Sequence, residues 1–228
     1  MASPEALTPT TGLNVLHLFV KPAGDVDAAG VEQAVAGLEA AGGQVVAASI
    51  LGHKADACLM ALGEDVWALR RFQSAIEEAA LAVVDSFVSL TEVSEYAKGM
   101  PAEMLSNRLY PKLPPENLRA FCFYPMTKRR GDVHNWYALE YEDRKNLMMG
   151  HGKSGREFAG RILQVITGST GLDDWEWGVT LFGAHPDDLK EVVYTMRFDE
   201  ASTLYAEFGP FYTGAVGSLD EVLSSLPR

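Results

Sequence analysis

The 228-residue chain is 47% hydrophobic and 22% charged, enough apolar material to bury a sizeable core as one large domain or two fused smaller ones. Its longest apolar runs, such as Ala79-Ala80-Leu81-Ala82-Val83-Val84, fall far short of the roughly 20 residues that cross a bilayer, so no membrane span is expected. A formal net charge of −12 argues against nucleic acid as a partner, because phosphate binding needs clustered Lys and Arg.

Residues 1–11, rich in Pro, Ala and Thr, lack a basic region followed by an apolar core and read as a disordered lead-in rather than a secretory signal. From there, residues 13–20 form an apolar strand, and residues 28–41 a helix stopped by Gly42-Gly43. Residues 44–51 and 56–62 follow as strands joined around Gly52-His53, then a helix over 64–80 and a strand over 83–93. The order β-α-β-β-α-β is ferredoxin-like and assigns residues 12–100 to an N-terminal half. A Pro-rich connector, residues 101–118, leads to a C-terminal half, residues 119–228. There the pattern predicts strands over 120–124, 162–167, 175–182, 191–198 and 211–214, with a long helix over 139–159 and a short one over 200–207. Two such halves whose sheets meet would form an α+β barrel with helices outside.

Cys58 and Cys122 each sit in an apolar strand-like run with no partner Cys or His at ligand spacing. Burial as free thiols is the expectation, which suits a cytoplasmic protein. Charge is unevenly spread: eleven of the nineteen basic residues lie between Arg108 and Arg161 against six acidic ones, a local balance of +5 that leaves −17 elsewhere. A basic segment in an acidic chain suggests a local anionic ligand, although a solvated helix and loop would read the same way.

His151 stands out by its neighbours. On a helix it shares a face with Leu147, Met148, Ser154 and Gly155, and Gly150, Gly152 and Gly155 crowd the same stretch. Glycines inside a helix are costly, at about 1 kcal/mol each relative to Ala, unless something flat or bulky needs the space. A macrocycle lying there with His151 as its iron ligand would explain them, as would a helix broken at Gly150. Tyr124 ends an apolar strand before Pro125, where a phenol serves as radical relay, hydrogen-bond donor or core ring. Lys128-Arg129-Arg130 beyond it could hold carboxylates or form a solvated turn. His134 lies close in sequence to this loop and could supply an acid or base. In residues 173–178, Trp175 and Trp177 share one strand face and Glu176 the other, with packing as the plain reading. His17, His53 and His185 carry no supporting pattern.

These blocks resemble the coproheme decarboxylase branch of the chlorite dismutase superfamily. The resemblance rests on Tyr124-Pro125-Met126-Thr127-Lys128 with His151 twenty-seven positions after Tyr124, Asn135-Trp136-Tyr137, His151-Gly152-Lys153-Ser154-Gly155-Arg156, Ile166-Thr167-Gly168-Ser169, Asp174 through Phe182, and Met196-Arg197-Phe198-Asp199-Glu200. It implies that His151 is the proximal iron ligand, that a radical on Tyr124 removes hydrogen from a propionate β-carbon, and that Lys128 engages a reacting propionate. Arg108, Trp136, Arg197 and Ser202 are implied on the porphyrin's periphery. Gln164, thirteen residues after His151, falls where chlorite dismutases place a distal arginine, which shifts the expectation from chlorite turnover toward decarboxylation. The implied reaction uses hydrogen peroxide to turn two propionates of iron coproporphyrin III (coproheme) into vinyl groups, giving haem b through a three-propionate intermediate. His134 is the candidate distal base, since an amide such as Gln164 takes up a proton poorly. Chlorite dismutation, general haem peroxidase activity and a non-catalytic haem carrier or sensor are the competing expectations. A homopentamer and transient contact with a ferrochelatase are implied by the resemblance alone.

Overall fold

In a computed structural model that describes residues 4–97 and 99–227, the first half is β1 (Asn14–Pro22), α1 (Ala28–Ala40), β2 (Gln44–Leu51), β3 (Ala57–Gly63), α2 (Val66–Glu78) and β4 (Leu81–Thr91). Asp27 and Asp65 cap the two helices, their side chains accepting from the Gly30 and Trp67 amides. β1 is apolar on both faces because both are buried. Val15 and Phe19 point into one core with Met60, Phe87, Phe121, Phe123 and Phe182. Leu16, Leu18 and Val20 point the other way, against Val31, Leu38, Leu69, Phe72 and Ile76 of α1 and α2. Each such fully buried side chain contributes about 1.5–3 kcal/mol.

The rest of the chain comprises α3 (Ala102–Leu109), β5 (Ala120–Lys128), a 3-10 turn (Trp136–Ala138), α4 (Tyr141–Arg156), β6 (Ile162–Gly168) and β7 (Trp177–Gly183). It ends with α5 (Pro186–Met196), α6 (Glu200–Tyr205), β8 (Ala206–Phe208), β9 (Tyr212–Gly217) and α7 (Leu219–Ser224). Nine strands make one sheet in the order β7-β6-β4-β1-β3-β2-β9-β5-β8, and β7 also pairs with β5, so the sheet closes on itself. Every pairing between named strands is antiparallel. The molecule is an α+β barrel, its interior filled by the first core.

Several sequence expectations are corrected. Residues 191–198 are not a strand: α5 takes them to Met196 and Arg197-Phe198 turn after it, the helix being started by His185, Pro186 at its first turn and the acidic pair Asp187-Asp188. Leu189 and Val192, spaced three apart, form its buried face. The connector contains α3, since its prolines flank the helical stretch rather than interrupt it. Pro125 does not stop its strand. β5 continues to Lys128 because the missing donor is not needed there, while the Pro125 carbonyl accepts from the Gly209 amide at 2.8 Å. Trp175 and Glu176 precede β7 rather than lying in it. The short β8 and α7 were not expected.

Inside the barrel, His17 is fully buried, its Nε2 3.0 Å from Thr180 Oγ1 and its ring 4.4 Å from that of Phe123. Burial pushes its imidazole down to about 3, so it is neutral.

Candidate active site

Register sets the site. Tyr124 of β5 opposes Val179 of β7, which opposes Ile166 of β6, and Cys122, Leu181 and Gln164 line up in the same manner. Directly opposed residues point to the same side of a sheet. Tyr124 and Gln164 therefore share one face, the outer one, which α5 partly covers with Leu189 and Val192. Ile166 on that face is 40% exposed, so the helical layer leaves part of the sheet open. The Gln164 side chain forms no hydrogen bond among the described residues and keeps its amide free.

Tyr124 is buried, its ring stacked on Phe211 at 4.5 Å and edge-on to Phe208 at 5.7 Å. Burial, reinforced by neighbouring Cys122 and opposed by Arg197, holds the phenol well above its usual range. It keeps its hydrogen at any physiological pH.

Lys128 ends the same strand and is also buried, not the solvated turn that composition allowed. Its Nζ donates to the Ala201 carbonyl at 3.2 Å and lies 4.2 Å from the centre of the buried Trp136 ring. Desolvation pulls the amine down to about 8 despite the carboxylates of Asp199 and Glu176. Glu176 accepts the Lys128 amide at 2.7 Å. Burial raises its carboxyl, but that bond, the Tyr137 hydroxyl and Arg130 outweigh burial and hold it below the usual range. Arg129 and Arg130 are engaged by Glu207 and Glu176, which leaves Lys128 as the cation of this loop that faces inward.

His151 lies within an unbroken α4. Its Nδ1 is 3.0 Å from Asp199 Oδ2, and Asp199 also caps α6, accepting from the Ser202 amide at 2.9 Å and the Ser202 hydroxyl at 3.2 Å. Burial pushes the Asp199 carboxyl up, yet the bonds from His151 and Ser202 overcome this and hold it low. The carboxylate thus fixes the ring and leaves Nε2, which has no hydrogen-bond partner among the described residues, as the nitrogen free to bind a metal. None of the sixteen residues of α4 is buried, and the helix rests on α5 and α6. A side chain at Gly150 would meet nothing within 4 Å, and one at Gly152 or Gly155 only the tips of Arg156 and Met196 at the ordinary contact distances of 3.7 and 3.8 Å, so no close approach of the protein requires these glycines. A cavity of about 440 Å³ opens between α4 and α6, but Asp143, Asp199 and Glu200 line it. It is a poor berth for a tetracarboxylate.

Arg197 caps the end of α5 with its guanidinium 4.8 Å from the centre of the Phe208 ring, and forms no ion pair among the described residues. Ser202 is buried and its hydroxyl is committed to Asp199, so it must turn away to donate to a propionate. His134 is not brought to the face of Gln164; it packs edge-on to Tyr205, a wall residue of the cavity beside His151. Arg108 sits in the last turn of α3. The sequence reading missed Asp199 as the partner of His151. Its only local sign was an Asp three residues before Ser202, a helix-start pattern.

The residues fit an iron porphyrin. His151 offers a free nitrogen, the open sheet face offers apolar surface, and Lys128 and Arg197 offer cations at its margin.

Comparison with known proteins agrees. The chlorite dismutase family model matches residues 27–217, and the chain belongs to that family. It is 42% identical over 184 residues to the coproheme decarboxylase of Staphylococcus saprophyticus, covering 76% of this chain and 73% of that protein. It is 43% identical over 178 residues to that of Staphylococcus carnosus, covering 74% and 71%. A protein of Natronomonas pharaonis described as heme-binding is 44% identical over 183 residues, and the match spans 30% of that longer protein. Among solved structures, a heme-binding protein from Thermus thermophilus superposes with a TM-score of 0.84 at 34% identity, covering 96% of this chain and 98% of that one. A mutant chlorite dismutase from Candidatus Nitrospira defluvii shares the fold, with a TM-score of 0.79 at 19% identity.

Proposed function

We propose that this chain is a coproheme decarboxylase, which uses hydrogen peroxide to convert two propionates of iron coproporphyrin III into vinyl groups and so makes haem b. What carries the reading is one sheet face with a buried phenol, Tyr124, and an uncharged amide, Gln164, bordered by Lys128 and Arg197, beside a helix whose His151 keeps Nε2 free. Iron ligation by a neutral histidine and salt-linked carboxylates suit a propionate-bearing substrate, and the relatives named coproheme decarboxylase point the same way. An amide in place of a cation at Gln164 disfavours chlorite turnover.

Per propionate, one peroxide accepts two electrons and the side chain gives up two hydrogens' worth of oxidation: the carboxyethyl group plus H2O2 becomes vinyl, CO2 and two waters. The bound iron supplies the reduction of peroxide. Tyr124, neutral and buried, supplies the hydrogen-abstracting site once oxidised. Lys128 and Arg197 hold carboxylates by charge-assisted bonds. Asp199 orients His151. The reading extends to Trp136 and Ser202 at the porphyrin periphery, to residues 12–100 and 119–228 as ferredoxin-like halves, to a homopentamer, to transient contact with a ferrochelatase and to a cytoplasmic location. No helix among the described residues is long and apolar enough to cross a membrane.

The test is anaerobic binding of ferric coproheme followed by peroxide titration with mass detection. Two successive losses of about 46 mass units, each the elements of formic acid, are expected while the protein supplies site and orientation. Tight binding with no mass change would leave a carrier instead.

A further inference from the structure

The strand that follows α6 is broken in one place, and the break faces Tyr124. β8 pairs Phe208 with Met126 of β5, and β9 pairs Tyr212 with Phe123. Three residues, Gly209, Pro210 and Phe211, therefore oppose two, Tyr124 and Pro125: a one-residue bulge. Side-chain parity in a strand flips with each residue. In a regular strand Phe208 and Phe211, three residues apart, would point to opposite faces. Because the bulge absorbs one residue, both rings lie against Tyr124, at 5.7 and 4.5 Å, while Tyr212 turns into the barrel to stack on Phe19 at 3.8 Å.

The bulge is fixed from three sides. The Gly209 amide donates to the Pro125 carbonyl at 2.8 Å. A Cβ at Gly209 would come within 2.7 Å of Pro125 Cγ and 2.8 Å of Trp175 Cζ2, so a glycine is required by close approach. Lys54, on the β2–β3 turn of the other half of the barrel, donates from Nζ to the Phe211 carbonyl at 2.6 Å.

We propose that Phe211, presented by this bulge and tethered through its carbonyl to Lys54, is a positioning residue for Tyr124, holding the phenol in the one orientation that aims it at a bound propionate. This rests on the decarboxylase reading above and gives the N-terminal half a part in the chemistry. The phenol lies between two aromatic rings, Phe211 nearly parallel at 25° and Phe208 at 63°, so its torsions are set by neighbours on two sides. Hydrogen transfer depends steeply on the separation of the reacting atoms, and a misplacement of about 1 Å costs on the order of a hundredfold.

Two measurements test it. In ligand-free protein labelled with ring-13C tyrosine, the Tyr124 resonance is assigned by its loss in Tyr124→Phe. Phe211→Leu is expected to shift that resonance toward unstacked values, Lys54→Met to shift it less in the same sense, and Phe211→Tyr to restore it, while Tyr205 stays put. In turnover, Phe211→Leu is expected to lower kcat about tenfold and Lys54→Met about threefold with KM for coproheme within twofold, the mark of an interaction that matters only in the transition state. An unmoved Tyr124 resonance, or unchanged kcat in both variants, overturns the proposal. Should Phe211→Leu fail to fold, Lys54→Met, an exposed tether, decides alone. If Tyr124→Phe itself keeps both decarboxylations, the tyrosine reading falls and takes the proposal with it; if Tyr124→Phe is dead and the Phe211 and Lys54 variants are normal, only the positioning role falls.

Discussion

Replacing Lys128 by Met should trade substrate binding for stability, and should do so only on one side of a pH window. The fall of the Lys128 amine from 10.5 to about 8 means that the folded protein disfavours the ammonium by about 3 kcal/mol relative to the unfolded chain. Between those two values the unfolded chain holds a proton that the folded one has shed, so stability rises with pH across that interval and the full penalty applies below about 8. Methionine removes the penalty. It also discards the contact with Trp136, about 1–2 kcal/mol, and strips the Ala201 carbonyl of a donor, about 1 kcal/mol. Near pH 7 these terms nearly cancel, so Lys128→Met should match or slightly exceed its parent in urea denaturation of the ligand-free protein. Near pH 10 the folded parent has shed its proton, and the burial penalty and the cation–π contact go with it, so the variant keeps no advantage and should trail by at most the ~1 kcal/mol of the lost donor. Ferric coproheme affinity near pH 7 should fall about tenfold or more, the worth of one charge-assisted bond. A stability difference that is the same at both pH values would refute the burial argument, and unchanged affinity would remove Lys128 from the substrate.

Three further substitutions separate the roles assigned around the iron site. His151→Ala should abolish the histidine-ligated absorption spectrum of bound ferric coproheme while leaving the fold intact by circular dichroism, because α4 buries none of its side chains. Asp199→Ala should lower thermal stability by about 1–2 kcal/mol through loss of the α6 cap, and weaken iron binding about 10- to 100-fold by freeing the His151 ring; in the parent the Asp199 share of stability should fade only as pH drops through a carboxyl already held below 3.8. His134→Ala should leave the rate of peroxide consumption by the coproheme complex within about twofold, since its ring packs on Tyr205 rather than beside Gln164; a loss of a hundredfold would restore it as a catalytic base.

The first half of the barrel was legible because its signals are local. Runs apolar on both faces make β1 and β3, and Asp27 and Asp65 start the helices between strands. In the second half the same rules misread residues 191–198, where Val192, Val193 and Tyr194 have strand propensity but His185-Pro186-Asp187-Asp188 had already begun a helix. At the site, Tyr124, Lys128 and His151 carried recognisable neighbours, whereas their surroundings did not. Lys128 looked solvated because nothing nearby in sequence announces Trp136, Ala201 and Asp199 around it. The His151–Asp199 contact spans 48 residues, and the bulge beneath Tyr124 exists only in the register between β5 and its partners.

α4 is where ligand and fold are most closely linked. Its start is held by Arg144, which donates to the Leu139 carbonyl at 2.6 Å and the Tyr96 hydroxyl at 3.1 Å, and its far end by the His151–Asp199 contact. Between and beyond these anchors Gly150, Gly152 and Gly155 weaken the helix by about 1 kcal/mol each relative to alanine, and no buried side chain compensates. A helix of this length is marginal without packing, so in ligand-free protein α4 should open locally far more readily than the barrel strands. A porphyrin ligated by His151 must be released for that helix to unwind, and at a hundred times its dissociation constant it adds about 2.7 kcal/mol to the opening, slowing amide exchange about a hundredfold. Hydrogen exchange with and without ferric coproheme reads this directly: protection should rise across Tyr141–Arg156 and stay unchanged at the fraying ends of α1, on the far side of the barrel. If α4 already exchanges as slowly as β1 without ligand, the helix is not waiting for anything, and its glycines need another explanation.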